Sequence, residues 1–172
     1  MANPEHLALL EQSTAVWNDW REKHPELQPD LCKASLQEMQ LQGINLAGAD
    51  LRETDFSEAN LSKANLSQAN CHSVDFRKAN LSEADLNGAK LISADLRKAN
   101  LSHAKLKSAN LRVAFLRQAN LQGADLTEAN LQQADFTGVN LIGAKLCLVN
   151  LLTTNLTGVD LSEADLTGAI LS

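Results

Sequence analysis

Five cationic residues in the middle of the chain recur at a fixed spacing. The arginines follow one another at intervals of 20 residues, and a lysine directly follows each of the first two. They are Arg77, Lys78, Arg97, Lys98 and Arg117. A guanidinium donates two parallel hydrogen bonds to a carboxylate or a phosphate, so these residues predict a partner-binding site for an acidic or phosphorylated protein segment. The alternative is a self-neutralised surface, in which Asp75 and Asp95, two residues before the first two arginines, offset the row of like charges.

No pattern of a catalytic or metal site accompanies these cations in the sequence. The four histidines lack ligand spacing with a cysteine or a carboxylate. The carboxylates recur at outward positions of the five-residue repeat described below. At such positions they usually accept local turn hydrogen bonds rather than perform acid–base chemistry. No nucleophile elbow, phosphate loop or zinc pattern occurs. We therefore predict that the protein is not an enzyme and has no catalytic residue, cofactor or metal.

One motif of five residues, repeated from Pro29 to Ser172, must position the cations. Its centre is a large apolar residue at position 31 and every fifth residue to 171; of 29 centres, 25 are leucine, three phenylalanine and one cysteine. Alanine lies two residues before the centre in 20 cases, and Asn or Asp one residue before it in 22. Five residues advance a helix by about 500° and are an odd step along a strand, so neither form buries one stripe. The pattern predicts a solenoid that turns a corner after every pentad.

The glycines and prolines support this interpretation. All eight glycines lie two residues after a centre, where a corner needs positive φ or a close backbone approach. All three prolines lie before the repeats or at their start, because a proline would remove a donor from the ladder between coils.

The repeat resembles that of a known family. Pentads such as Ala-Asn-Leu-Ser-Lys at 59–63, Ala-Asp-Leu-Asn-Gly at 84–88 and Ala-Asp-Leu-Thr-Glu at 124–128 are similar to those of the bacterial pentapeptide repeat proteins. The segment 17–21 resembles what precedes the repeats in some cyanobacterial members. The resemblance implies an all-β fold, a right-handed quadrilateral parallel β-helix of about seven 20-residue coils. On that register the three arginines stack on one face, and Phe56 and Phe76 stack in adjacent coils.

The charges divide the chain into acidic ends and a basic waist. Residues 71–120, which we call the waist, hold 9 basic and 4 acidic side chains. Residues 1–70 hold 5 basic and 11 acidic side chains, and residues 121–172 hold 1 basic and 6 acidic side chains. With a net charge of −6, the chain is not expected to bind nucleic acid directly. Outward apolar residues near the end of the repeat, at 142, 147, 148 and 152, are a second candidate contact.

Two domains are predicted, residues 1–28 as a capping helix with a linker and residues 29–172 as the β-helix. A short N-terminal α-helix, from Asn3-Pro4 to about Lys23, is expected to cover the open end of the first coil. The abrupt C-terminus favours a homodimer through the last coil; the alternative is that solvent covers this end. Cys71 is expected in the core, and the cysteines at 32 and 147 at outward positions. The cysteines are odd in number and lack metal-site spacing, which indicates a reducing compartment. Together with the lack of a signal peptide or membrane span, this predicts a cytoplasmic protein.

We expect a non-catalytic protein–protein interaction scaffold, regulatory in role, whose partner is an unidentified protein. The rod presents ladders of side chains at fixed spacing because each coil is bonded to its neighbours. The alternative is a DNA-mimic inhibitor of a topoisomerase such as DNA gyrase, which the resemblance implies through the quinolone-resistance branch of the family. Two features depart from that branch: the basic waist, and the lack of a helix after the repeats.

Overall fold

A computed structural model describes residues 1–171 and shows a right-handed quadrilateral β-helix that follows two short helices. Helix α1 spans Pro4–Gln12 and helix α2 spans Thr14–Lys23. From residue 30 onward, single residues form parallel β-bridges with the residues 20 positions before and after them. Each coil therefore has four sides and 20 residues, as the sequence predicts. Ser172, the last residue of the predicted repeat, lies outside the described residues.

Backbone hydrogen bonds hold each coil to the next on all four sides from the first coil to the sixth. On the side that carries Asp75, this residue's N–H donates to the carbonyl of Thr54 in the preceding coil at 3.0 Å. The N–H of the adjacent centre, Phe76, donates to the carbonyl of Asp95 in the following coil at 2.8 Å. Because the two donors point in opposite directions along the rod, every coil is bonded on both edges. Successive side chains at one position of the repeat consequently form straight columns.

The corners adopt one conformation from 33 to 148. At each corner the residue two after the centre has positive φ, between 53° and 68°. The N–H of the next residue closes the turn on the carbonyl of the centre, as when Ala79 donates to Phe76 at 3.0 Å. The predicted role of the glycines is confirmed, but ordinary residues also adopt this conformation. Val113 is the costliest of them, since its β-branched side chain is disfavoured at its φ of 61°.

The core is a continuous column of alanines and large centres. The centres from Leu31 to Leu151 and the alanines beside them are buried. The rings of Phe56 and Phe76 stack with centroids 5.4 Å apart and planes 16° apart, which confirms the expected pairing. Cys71 is fully buried in the pentad directly before that of Phe76, and burial raises the pKa of its thiol to about 12. In the last coil, centres such as Leu161 and Leu166 are only partly buried.

The N-terminal segment forms two helices where the sequence predicted one. Ser13 breaks the helix because its backbone is extended, with φ −179° and ψ 161°, and its hydroxyl accepts a hydrogen bond from the N–H of Val16. Serine is a favoured N-cap for this reason. The break leaves Val16 exposed. Among the described residues, no helix is long and apolar enough to cross a membrane.

Side chains of α2 pair with the free backbone edge of the first coil. The indole N–H of buried Trp17 donates to the carbonyl of Asn45 at 2.7 Å. The Asn18 amide donates to the Gly43 carbonyl at 3.0 Å and accepts from the Asn45 N–H at 2.8 Å. Through these hydrogen bonds α2 caps the first coil. Cys32, expected to face outward, is instead buried in this first coil.

Candidate partner-binding face

The five predicted cations all lie on one side of the rod. This side, which we call the arginine face, is formed by the pentads centred on residues 36, 56, 76, 96, 116, 136 and 156. The bridges that join Asp75 to Asp95, and Asp95 to Phe115, align the pentads of Arg77, Arg97 and Arg117 in successive coils. Lys78 and Lys98 occupy the neighbouring corner column, each at positive φ. The structure therefore brings together every residue that the sequence proposed for the site.

A local turn hydrogen bond orients each of the first two arginines beside the aspartate of its own pentad. The N–H of Arg77 donates to Asp75 Oδ1 at 3.0 Å, and the N–H of Arg97 donates to Asp95 Oδ1 at 3.2 Å. Asp and Asn commonly make this bond to the residue two positions on. Because the two side chains of such a pair project from the same face, the guanidinium lies next to the carboxylate.

The first two arginines form two-pronged ion pairs with these aspartates. Arg77 approaches Asp75 with Nε at 2.9 Å from Oδ1 and Nη2 at 2.5 Å from Oδ2. Arg97 approaches Asp95 in the same way, at 2.8 Å and 2.5 Å. These carboxylates raise the pKa of both arginines. Self-neutralisation, the alternative to a partner site, is therefore present at these two pairs.

The remaining cations of the face are held differently. Lys78 Nζ donates to Glu58 at 2.6 Å in the preceding coil. Arg117 reaches the following coil, where its Nε donates to Asp135 Oδ2 at 2.8 Å. A hydroxyl bond from Thr137, followed by the contacts with Arg117, holds the pKa of Asp135 below its ordinary value against a smaller effect of burial. Lys98 forms no ion pair with any residue from 1 to 171.

Two open depressions follow the cations along this face. The larger, about 350 Å³, is lined by Arg97, Lys98, Arg117, Gln118 and Thr137. The smaller, about 210 Å³, is lined by Arg77, Lys78, Arg97 and Lys98. The lining is cationic and solvent-exposed, which suits contact with a partner's surface groups better than enclosure of a small molecule.

Sequence reasoning missed the part played by Phe115. The five residues predicted for the site are all cations and do not include it. In the structure Phe115 stands in the aspartate column of the arginine face and is 45% exposed. The signal was in the sequence, because the position before the centre is Asp at 55, 75, 95 and 135 but Phe at 115.

Possible metal ligands and the late apolar residues do not form compact clusters in the described part of the chain. Within residues 1–171, no group of three or more His, Cys, Asp or Glu side chains is arranged to hold a metal ion. The late apolar residues lie on successive sides of the sixth and seventh coils, and Leu148 and Leu152 are 61% and 53% exposed. They are divided between corners, as the sequence indicates.

A family comparison matches the repeated coils. The family described as Pentapeptide repeats (8 copies) matches residues 30–68, 69–107, 104–141 and 134–172. The chain belongs to the pentapeptide repeat family. Columns of asparagine side chains at intervals of 20 residues accompany this repeat, and the amide of Asn80 donates to Asn60 Oδ1 at 3.2 Å. Comparison with curated proteins finds no match.

Three solved structures illustrate the likeness of this pentapeptide repeat protein. Trypsin-treated QnrB1, a plasmid-mediated fluoroquinolone resistance protein, shares 20% identity over 83% of this chain and 77% of its own, with a TM-score of 0.54. HetL of the cyanobacterium Nostoc, involved in heterocyst differentiation regulation, shares 30% identity over 90% and 92%, with a TM-score of 0.35. Rfr23 of the cyanobacterium Cyanothece shares 27% identity over 90% of this chain and 97% of its own, with a TM-score of 0.41. The first of these supports the fold alone.

Proposed function

We propose that this protein is a non-catalytic scaffold that holds an acidic partner protein on the arginine face, as part of a regulatory interaction. The observation that carries the proposal is the alignment of five cations from three successive coils around two open depressions. The partner class follows from charge, since the waist has 9 basic and 4 acidic side chains. Complementary charge favours an acidic surface and accelerates its encounter with the waist.

The ion pairs of the face support this role rather than oppose it. Asp75 and Asp95 fix the first two guanidinium groups through Nε and Nη2, so little side-chain entropy remains to be lost on binding. Each of these arginines keeps Nη1 for another acceptor. The solenoid adds rigidity, because every coil is bonded to both neighbours.

The waist also weighs against the alternative of DNA mimicry. A protein that imitates a duplex needs a continuous negative surface along the rod. Here the acidic segments 1–70 and 121–172 are separated by the waist, so the negative surface is interrupted in the middle. The scaffold is therefore the function that the charge distribution supports better.

We place this function in the bacterial cytoplasm. The cysteines at 32, 71 and 147 are all free thiols in the described part of the chain, which is typical of proteins from a reducing compartment.

Affinity capture from a lysate of the source organism tests the proposal. The bait is the wild-type chain, and the test variant replaces Arg77, Arg97 and Arg117 with Ser, because Ser or Thr already occupies this position in other coils of the same face. A matched control replaces three cations outside the arginine face, Lys63, Lys90 and Lys145, with Ser. We expect an acidic protein, read by mass spectrometry, that the wild type and the control retain and the test variant loses at least about tenfold.

Two outcomes would contradict the proposal. Equal capture by all three baits would remove the arginine face from the interaction. Capture of gyrase subunits by wild type and test variant alike would revive DNA mimicry and direct attention to the acidic ends.

A further inference from the structure

Phe115 interrupts the column of carboxylates on the arginine face. In four other coils the same position is aspartate, at 55, 75, 95 and 135. Phe115 pairs its backbone with Asp95 and Asp135 like any member of the column, so the interruption concerns the side chain alone. An exposed aromatic ring thus occupies the place of a carboxylate that the neighbouring arginine would otherwise bind.

The substitution leaves donors of Arg117 without an acceptor. Arg77 and Arg97 bind the aspartate of their own pentad through the backbone N–H, Nε and Nη2. Arg117 makes only the bond from Nε to Asp135 in the next coil. Its backbone N–H and both terminal nitrogens have no hydrogen-bond partner among residues 1–171. By analogy with Arg77 and Arg97, an aspartate at 115 would be placed to engage the backbone N–H and Nη2.

Lys98 supplies a second uncommitted cation beside them. It lines the 350 Å³ depression together with Arg97 and Arg117. Lys78, its neighbour in the preceding coil, is bound to Glu58. Residues 58, 78 and 98 occupy the same corner column in successive coils. Glu58 and Lys78 form an ion pair, whereas Lys98 has no ion-pair partner among residues 1–171. Free donors therefore concentrate at the C-terminal half of the five-cation site.

The charge of this half fits a single carboxylate. Arg97, Lys98 and Arg117 provide three positive charges, and Asp95 and Asp135 offset two of them. One carboxylate neutralises the charge that remains, whereas a phosphate dianion would exceed it. A carboxylate can also accept two parallel bonds from the terminal nitrogens of an arginine whose Nε is already engaged.

We propose that Lys98, Arg117 and Phe115 form an anchor for one Asp or Glu side chain of the partner protein. The partner's carboxylate accepts hydrogen bonds from Arg117 and Lys98, and an apolar side chain next to it packs on the exposed Phe115 ring. Arg77 and Lys78 lie outside the anchor because their own carboxylates engage them. This inference rests on the proposed scaffold function and assigns its contact to one half of the face.

The test measures binding of short peptides by fluorescence anisotropy at low ionic strength. The probe is a labelled, end-capped peptide Ser-Gly-Leu-Glu-Leu-Gly-Ser; its companions carry Gln or phosphoserine in place of Glu. We expect the Glu peptide to bind at least about tenfold more tightly than the Gln peptide, the minimum for hydrogen bonds to a charged group. The phosphoserine peptide should bind no more tightly than the Glu peptide.

The decisive variant is Phe115→Asp, which restores the carboxylate of the column. It should lower affinity for the Glu peptide at least about tenfold, because the new aspartate occupies the donors of Arg117. Since Asp holds this position in four other coils, the variant should unfold at nearly the wild-type temperature. Lys98→Gln should also lower the affinity for the Glu peptide. The control Lys63→Ser/Lys145→Ser, which removes two cations outside the arginine face, should bind within about twofold of wild type.

Several results would overturn the anchor. One is that wild type does not bind the Glu peptide, and another is that Phe115→Asp and Lys98→Gln leave its affinity unchanged. Tighter binding of the phosphoserine peptide, or an equal loss of affinity in the Lys63/Lys145 control, would also contradict it. The scaffold function has a separate readout. If lysate capture requires the three arginines but survives Phe115→Asp, the scaffold stands and the anchor fails.

Discussion

At the scale of single residues, an aspartate directly before the centre has two roles. It is the hydrogen-bond acceptor of the turn and the anion of an ion pair, and a substitution can remove one role without the other. Asp95 accepts a turn hydrogen bond from the Arg97 N–H at 3.2 Å and forms an ion pair with its guanidinium. Burial raises the pKa of Asp95, but the side-chain and backbone hydrogen bonds from Arg97 outweigh it, so the pKa is lowered overall. The turn needs only an oxygen acceptor, whereas the ion pair needs the charge.

Asp95→Asn removes the charge and keeps the acceptor. A carboxylate with a lowered pKa stabilises the fold above its unfolded pKa of about 4, and this stabilisation is lost as the pH falls through the folded pKa. At pH 7 we expect the variant to be less stable by about 0.5 kcal/mol, as for an exposed ion pair. The melting temperatures of variant and wild type should converge well below pH 4. An equal difference at pH 7 and in acid would contradict this account.

At the scale of elements, α2 substitutes for a missing coil. The first coil has a backbone edge with no preceding coil to bond, and Trp17 and Asn18 supply donors and an acceptor to it. Arg21 adds hydrogen bonds to the carbonyls of Leu27 at 2.6 Å and Ala47 at 3.1 Å. Burial lowers the pKa of this arginine, a cost that Glu26 partly offsets. These contacts cover the apolar end of the core as well as its backbone.

Trp17→Ala should therefore loosen the first coil selectively. Removing a fully buried aromatic side chain costs about 3 kcal/mol, and here it also removes the donor to Asn45. Hydrogen exchange read by mass spectrometry should show faster exchange in residues 31–48 and little change beyond residue 90, because each coil contacts only its neighbours. Val16→Ala, which changes an exposed residue of the same helix, is the control. Uniform loss of protection along the rod would show that the cap stabilises the whole solenoid cooperatively.

At the scale of the whole molecule, the two ends of the described rod differ. The helices cover the first coil, whereas Ile170 and Leu171 are 50% and 49% exposed and the centres of the last coil are only partly buried. These exposed side chains form an apolar surface at one end of the described rod, and a two-fold arrangement with another copy would bury this surface in both.

We therefore expect the chain to dimerise through its last coil. Light scattering should give a mass near two chains at high concentration, and Ile170→Lys should lower it to one because it places like charges in the contact. Ile142→Lys, which changes a comparably exposed residue elsewhere on the rod, should leave the dimer intact. A mass of one chain for wild type across the concentration range would exclude this contact.

Much of the architecture followed from the period of the sequence. The five-residue spacing continues without insertion, so each position has one place on a coil. The resemblance to the family implies four pentads in each coil, so an interval of 20 brings a residue back to the same side, as the bridges show. The stacking of Phe56 on Phe76 and the shared face of Arg77 and Arg97 were therefore predictable. The corner conformation was predictable at the glycines, because only that residue adopts positive φ without steric cost.

The details of the site depended on contacts between coils. Nothing in the period indicates that Arg117 reaches Asp135 at 2.8 Å and leaves its terminal nitrogens without a partner among residues 1–171, because that depends on the side-chain rotamer. The break at Ser13 and the burial of Cys32 arise in the same way, where α1 and α2 meet the first coil. A repeat determines where side chains start from the backbone. Only the packed structure decides which partner each one reaches.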